Sequence, residues 1–420
     1  MSDRRYRVLA IASHAVQYAA PVFRLMAQHA GLDFHVAYCS LRGAEAGHDP
    51  EFGRSVKWDL PLLDGYAWTH VPNRGSGSES FFGLYNPGLW KLIREGRFDA
   101  VLCYTGYVRA SFWISYFAAK LSRTAFLFGT DSTGLTPRDG RTWKRVFKRL
   151  AWPWLFRLAD QVIVPSSATR DLILSLGIPG DRITLTPYVV DNEWWLEQSA
   201  AVDRAAVRAS WGAAPEDLVV LFCAKLQPWK RPFDALRAFA KSDRPRARLV
   251  FAGDGPLYAQ LAAEASALGI ASRVRFLGFV NQTQLPAIYT SADVMVLPSE
   301  YEPFAVVVNE AMCCGCPVIV SDRVGAAQDL IAPICPEFIF PCGDIDALAA
   351  LLAGIPGDRP LLRRVREFGL AHLQTWTPQR NVAATVDAIE LAASRVRGKK
   401  TATNEVRVGA SKPSVPSARQ

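Results

Sequence analysis

The sequence predicts an α/β chain of two Rossmann-like, doubly wound domains facing a central cleft. Three observations carry that prediction. The chain has 420 residues, enough for two or three domains. Short apolar runs alternate with helix-length amphipathic segments, the pattern of a parallel sheet with helices on both faces. The alternation comes in two series, separated by a polar helical segment at residues 192–212.

In the first series, residues 7–12 predict a strand, 21–29 a helix and 33–39 a second strand. Residues 65–87, with Gly-Ser-Gly at 75–77, are expected to be irregular. Strands follow at 99–104 and 125–128, with a helix at 111–121 between them. A long helix at 143–159 leads to a strand at 161–164, a helix at 168–176 and a strand at 183–186. The second series has strands at 218–224, 248–252, 274–277, 293–297 and 318–320, joined by helices at 232–241, 257–268, 283–290 and from about 304. No repeat of 20–50 residues is present, which excludes a solenoid. Residues 379–393 form a last helix, and from Gly398 the Lys, Ser, Pro, Ala and Thr content predicts a disordered basic tail, 398–420.

Half of the residues are hydrophobic and 21% are charged, a globular composition. No apolar run reaches the roughly 18 residues of a transmembrane helix. The start resembles a signal peptide, but its apolar part is short and broken by His14 and Gln17, so a buried first strand is expected. The eight cysteines lie mostly in apolar patterns and lack zinc-site spacing, which suits a reducing, cytoplasmic setting and no metal. The net charge of +9 is uneven. From Arg138 to Arg157 seven basic residues and one acid are interleaved with Trp143, Phe147, Trp152, Trp154 and Phe156. That segment reads equally as an amphipathic helix with core aromatics or as a face for an anionic membrane surface. No nucleic-acid module is recognisable, so nucleic acid is not an expected partner.

Residues 298–322 are the most informative stretch. An apolar strand ends at Pro298, so Glu302 lies in the loop after it. Helical pattern begins near Phe304 and stops at Gly315, with Pro317 beyond. In a parallel sheet that loop sits at the carboxyl edge, where ligands bind. The unpaired N–H groups of the helix start favour an anion or sugar hydroxyls there. Glu310, one to two turns on, is placed to accept hydrogen bonds from a diol. In a second strand-to-helix loop, Lys225 and Lys230 stand five residues apart, as suits a diphosphate.

The run Glu302-Pro-Phe…Asn-Glu310, followed by Ala-Met-x-Cys-Gly-Cys-Pro-Val, resembles the E-x7-E signature of family 4 retaining glycosyltransferases. The resemblance spans roughly residues 5–390 and is strongest over 218–345. It implies the GT-B fold, a nucleoside-diphosphate sugar as donor substrate, and neither cofactor nor metal. It implies an acceptor domain at 1–190, a donor domain at 191–370 and a helix at 371–397 that crosses back to the first domain. By the same resemblance Glu310 would bind the ribose hydroxyls. Glu302 and the backbone of Pro303, Phe304 and Ala305 would hold the donor sugar, with Glu302 a positioning residue. Lys225 stands where the family usually has Arg, keeping the charge and losing bidentate geometry. Lys230 matches the family lysine, and Arg231 takes a usual glycine position. Gly253-Asp-Gly-Pro256 resembles a family turn and is open to a purely structural reading. Gly278 and Phe279 lie in a segment similar to the one whose backbone reads the nucleobase.

On the acceptor side, His14, Gln17 and Tyr18 belong to a loop resembling the His-x-x-Gln-Tyr-x-x-Pro subset of the family. The histidine that many relatives carry near a later strand end is missing. Asp131 in Phe128-Gly-Thr-Asp131 stands at that place. The implied activity is hexosyl-type transfer to a glycan or lipid-linked acceptor in bacterial surface polysaccharide or glycolipid synthesis, in the cytoplasm or peripheral on the inner membrane face. A nucleotide-sugar epimerase and a non-catalytic nucleotide-sugar binding protein are the alternatives.

Overall fold

The computed structural model describes residues 5–49, 54–137, 140–355 and 360–409. The chain opens with β1 (Tyr6–Ala12), α1 (Ala19–Gln28) and β2 (Leu32–Tyr38). An antiparallel ribbon, β3 (Gly47–Asp49) and β4 (Arg54–Val56), precedes β5 (Ala67–His70). Then come α2 (Gly88–Gly96), β6 (Ala100–Cys103), α3 (Ala110–Leu121), β7 (Ala125–Gly129), α4 (Thr142–Arg157), β8 (Gln161–Val164), α5 (Ser167–Ser175) and β9 (Ile183–Leu185). Crossover helices cover both faces of this sheet, so β6, β7 and β8 are buried without polar alternation.

All neighbours in the first sheet are parallel, in the order β5-β2-β1-β6-β7-β8-β9. The chain therefore builds outward to one side of β1 and returns to its other side at β6. The loops after β1 and β6 diverge at this switch point and leave a crevice. One strand lies where irregular structure is expected: β5, within 65–87, pairs with β2 from His35↔Ala67 to Tyr38↔His70. Its four side chains are exposed, so no apolar run announces it.

Two helices, α6 (Asn192–Ala200) and α7 (Arg204–Ser210), connect to the second domain. It contains β10 (Leu218–Cys223), α8 (Pro232–Lys241), β11 (Ala247–Ala252), α9 (Tyr258–Ala267), β12 (Val274–Gly278), α10 (Leu285–Ser291), β13 (Val294–Leu297), α11 (Val306–Cys313), β14 (Val318–Ser321), β15 (Ile339–Phe340), α12 (Ile345–Gly354) and α13 (Pro360–Leu373). The parallel order β12-β11-β10-β13-β14-β15 puts its switch point between β10 and β13. Arg204 and Arg208 reach from α7 to Asp293 at 2.6 and 3.1 Å, while the Asp293 carboxylate accepts the Val219 N–H at 2.7 Å. That buried network ties the connector to the sheet.

The carboxyl edges of the two sheets face each other. Across the gap, Ser167 N–H donates to Asp329 at 2.9 Å, Asn281 Nδ2 donates to Lys57 O at 2.9 Å, and the Trp58 and Phe279 rings lie 6.3 Å apart. The last helix, α14 (Pro378–Gly409), packs on the first domain. Asn381 Nδ2 donates to Pro187 O at 2.7 Å, Arg395 donates to Asp160 O at 3.1 Å, and the Arg397 guanidinium lies 5.6 Å from the Tyr6 ring centre. This helix passes the expected boundary at Gly398 and continues to Gly409. The helix-breaking Pro413 and Pro416 both lie beyond it. Residues 410–420 of the expected disordered tail lie outside the described residues. All eight cysteines are free thiols, seven of them buried. Among the described residues no helix is long and apolar enough to cross a membrane.

Candidate functional site

The second switch point brings two loops together, one after β10 and one after β13. They deliver Lys225 and Lys230 on one side and Glu302 through Ala305 on the other. A cavity of about 520 Å³ opens between them and the first domain. Of the residues singled out from sequence, Lys225, Lys230, Gly253, Phe279, Glu302, Pro303, Phe304, Ala305, Glu310 and Asp131 all line it. His14 does not, and its imidazole Nδ1 pairs with Ser13 Oγ at 2.9 Å. Gly278 stands just behind the wall, where its carbonyl accepts the Gly253 N–H at 2.8 Å.

Lys230 Nζ forms an ion pair with the Glu302 carboxylate, and both side chains are largely buried. The loop carrying Glu302 is pinned from behind. Gly325 N–H donates to Glu302 O at 2.9 Å and Ala326 N–H to Phe304 O at 2.8 Å. The Phe304 ring packs edge-on against Tyr188 at 5.6 Å and stacks over Trp376 at 6.3 Å. α11 starts at Val306, two residues later than the apolar pattern suggests. Ala305 has φ 80° and ψ 75°, outside right-handed helix. A non-glycine residue there costs on the order of 1–3 kcal/mol. Ala305, Val306 and Val307 line the cavity at the positive end of α11.

Arg231 is likewise left-handed, at φ 51° and ψ 48°, which explains why glycine suits that position. Its guanidinium is held by Asp234 at 2.6 Å and Glu300 at 3.3 Å. These pairs offset the backbone cost.

Glu310 is 2% exposed and accepts the Tyr289 hydroxyl at 2.9 Å. Burial pushes its carboxyl from an ordinary value near 4.5 up to about 7, against the lowering effect of the Tyr289 and Gln282 hydrogen bonds. The folded value lies above the unfolded one, so this group's stability contribution is full below the unfolded value. It is lost as pH rises through about 7. Glu310→Gln is therefore expected to flatten the fall in thermal stability between about pH 5 and pH 8, an effect on the order of 3 kcal/mol. Calorimetric melting at several pH values checks this.

Gly253 has φ 146°, and a Cβ there would lie 2.0 Å from the Ala224 carbonyl oxygen. Gly253→Ala should cost more than about 1 kcal/mol and lower Tm. Gly354→Ala should be close to neutral, because none of the described residues comes within 4 Å of its Cβ position.

On the facing domain, Tyr18 and Tyr188 share a hydroxyl hydrogen bond, and their rings are 5.3 Å apart. Burial, reinforced by Asp131, pushes the Tyr18 phenol up to about 12. Asp131 itself is raised, first by burial and then by the charge of Glu302, with its own backbone N–H and Lys148 acting the other way. Asp131 lines the main cavity and also a second one of about 410 Å³, walled by Tyr104, Tyr107, Lys148, Trp152 and Asn381 among others. Sequence reasoning missed Gln282, Tyr289, Tyr188 and Trp152 as site neighbours. Gln282, Tyr289 and Tyr188 lie in segments read as ordinary helix or loop, Trp152 in one read as core helix or membrane face, and only the fold brings them to the loops.

The family model for glycosyl transferases group 1 matches residues 203–371, and that for the glycosyl transferase 4-like domain matches residues 15–189. An uncharacterized glycosyltransferase of Methanocaldococcus jannaschii is 36% identical over 174 residues, 41% of this chain and 44% of that protein. The D-inositol 3-phosphate glycosyltransferase of Nocardia farcinica is 34% identical over 230 residues, 51% of this chain and 49% of that one. The chain thus spans about half the length of these curated relatives. The namesake enzyme of Geodermatophilus obscurus is 28% identical over 77% of this chain and 78% of its own. Among solved structures, Anabaena HepE in complex with UDP and glucose has a TM-score of 0.70 at 19% identity, covering 92% of this chain and all of that one. WaaG, a glycosyltransferase involved in lipopolysaccharide biosynthesis, has a TM-score of 0.61 at 14% identity, covering 90% of this chain and 99% of that one. One model matches each of the two facing α/β domains, and the chain belongs to the family 4 glycosyltransferases of GT-B fold.

Proposed function

We propose that the protein is a retaining transferase that moves a sugar from a nucleoside-diphosphate sugar to a glycan or lipid-linked acceptor. The pathway we infer is surface polysaccharide or glycolipid assembly, with the protein peripheral on a membrane. The observation that carries this reading is the convergence of Lys225, Lys230, the kinked start of α11, Glu302 and Glu310 on one cavity. Two lysines and a helix N-terminus suit a diphosphate. A buried carboxylate beyond them suits a ribose diol. The UDP found with Anabaena HepE is consistent with a nucleotide donor of this kind.

In this reading Lys230 turns from Glu302 to the donor phosphates on binding. It then meets the charge that develops on the diphosphate as the glycosidic bond breaks. Glu302, released from that pair, accepts from a sugar hydroxyl and orients the ring. Asp131 stands at the junction of the two cavities, where it would position the acceptor hydroxyl for attack on the sugar face from which the diphosphate leaves; the new C–O bond replaces the one to the diphosphate, whose oxygen takes the acceptor's proton. Fixed cations take the role of charge neutralisation, so no metal is required.

The test is a panel of sugar nucleotides incubated with cell-envelope glycans and lipids in the presence of chelator. Nucleoside diphosphate release is followed, and the product anomer is read by NMR. Acceptor-dependent release with retained configuration supports the proposal. Epimerisation of the donor without any acceptor would contradict it.

A further inference from the structure

In α4 the sequence TWKRVFKRLAWPWLFR divides into two faces. Trp152, Leu155 and Phe156 are buried, and Trp152 Nε1 donates to Tyr107 at 2.8 Å. The opposite face carries Trp143, Val146, Phe147, Leu150 and Trp154 at helical spacing, between 56% and 73% exposed. The aromatic content of this segment is thus only half core. A stripe of five large apolar side chains on one exposed helix face is not expected on a freely soluble surface.

The charges around the stripe indicate what covers it. Residues 141–157 carry Arg141, Lys144, Arg145, Lys148, Arg149 and Arg157 and no acid; Lys148 faces inward, whereas Lys144 and Arg157 stand at the border of the stripe. The Lys144 ammonium lies 5.7 Å from the Trp143 ring centre, and the Arg157 guanidinium lies 5.7 Å from that of Trp154. Cations held at the border of an apolar stripe are placed for lipid phosphates while the aromatics enter the acyl boundary. A second copy of the same face would bring cations against cations, which disfavours self-association. Lys148 and Trp152, on the inner side of the helix, line the second cavity. That cavity is therefore about one helix diameter, roughly 10 Å, from the stripe.

We propose that the exposed face of α4 docks on an anionic phospholipid bilayer and holds the second cavity beside the membrane surface. This extends the glycosyltransfer reading by naming the partner of α4, and the surface can be tested without donor or acceptor. The full chain is sedimented with phosphatidylcholine vesicles that contain or lack phosphatidylglycerol. Binding is expected only to the anionic vesicles and should weaken as salt is raised. Combined Trp143→Ser, Phe147→Ser and Trp154→Ser substitution should weaken binding by at least about tenfold, with Tm unchanged. Phe368→Ser, at a 54% exposed position in the second domain, should have no effect. Equal vesicle binding by the triple variant would overturn the proposal. So would failure of the native chain to bind vesicles together with dimerisation that the triple variant abolishes. Vesicle binding without any sugar-nucleotide binding would support the docking face and overturn the glycosyltransfer reading instead.

Discussion

Lys230→Ala is expected to lower kcat by about 10²- to 10³-fold, the usual loss when a fixed group that meets transition-state charge is removed. The same change leaves the Glu302 carboxylate, 13% exposed, without its ion-pair partner. An orphaned, mostly buried carboxylate costs on the order of 1–3 kcal/mol or more, so the variant should also melt earlier. The two effects separate in the Lys230→Ala, Glu302→Gln double variant. Neutralising Glu302 should restore much of the stability and none of the turnover. Lys230→Arg keeps the charge and should retain measurable activity. Stability that returns together with activity in the double variant would mean that the ion pair is architectural.

Glu310→Ala should weaken sugar-nucleotide binding by about 10- to 100-fold. This corresponds to losing hydrogen bonds to a charged acceptor worth about 1.5–3 kcal/mol. The Tyr289 hydroxyl also loses its acceptor at 2.9 Å, so part of any Tm change belongs to that buried group. Tyr289→Phe isolates this contribution, because it leaves the carboxylate in place. Isothermal titration with the preferred sugar nucleotide gives the affinities. Unchanged affinity in Glu310→Ala would remove Glu310 from the ribose site.

Much of this architecture is legible in the sequence for a physical reason. Strands buried on both faces, such as β6, β7, β8, β10 and β13, must be apolar throughout, and the helices between them must be amphipathic. β5 escapes notice because it is an edge strand with four exposed side chains. The start of α11 is displaced because Ala305 is left-handed, a conformation that local propensity does not favour. Lys230 and Glu302 stand out in the sequence because loops after parallel strands commonly carry ligand-binding residues, and Glu310 because it lies in the helix that the second of these loops opens. Tyr289 on α10 and Gln282 in the turn before it do not, since they meet Glu310 only once that region packs against α11. His14 lies in the loop after β1 at the first switch point, and its ring pairs with the neighbouring Ser13 hydroxyl. The sequence of α4 reads equally as core or as membrane face, and its aromatics stand on both faces of one helix.

The central claim is a metal-independent nucleotide-sugar site between the two domains. Its most direct measurement is the thermal stability of the chain with UDP, GDP, ADP, dTDP and their sugar conjugates, each with and without chelator. Ligand that binds only the folded state raises stability by RT ln(1 + [L]/Kd), about 2.7 kcal/mol at a hundredfold excess over Kd. At about 2–4 °C per kcal/mol for domains of this size, a rise in Tm of several degrees is predicted with one base, and it should shrink in Glu310→Ala. No rise with any nucleotide, or a rise that chelator abolishes, would contradict the claim.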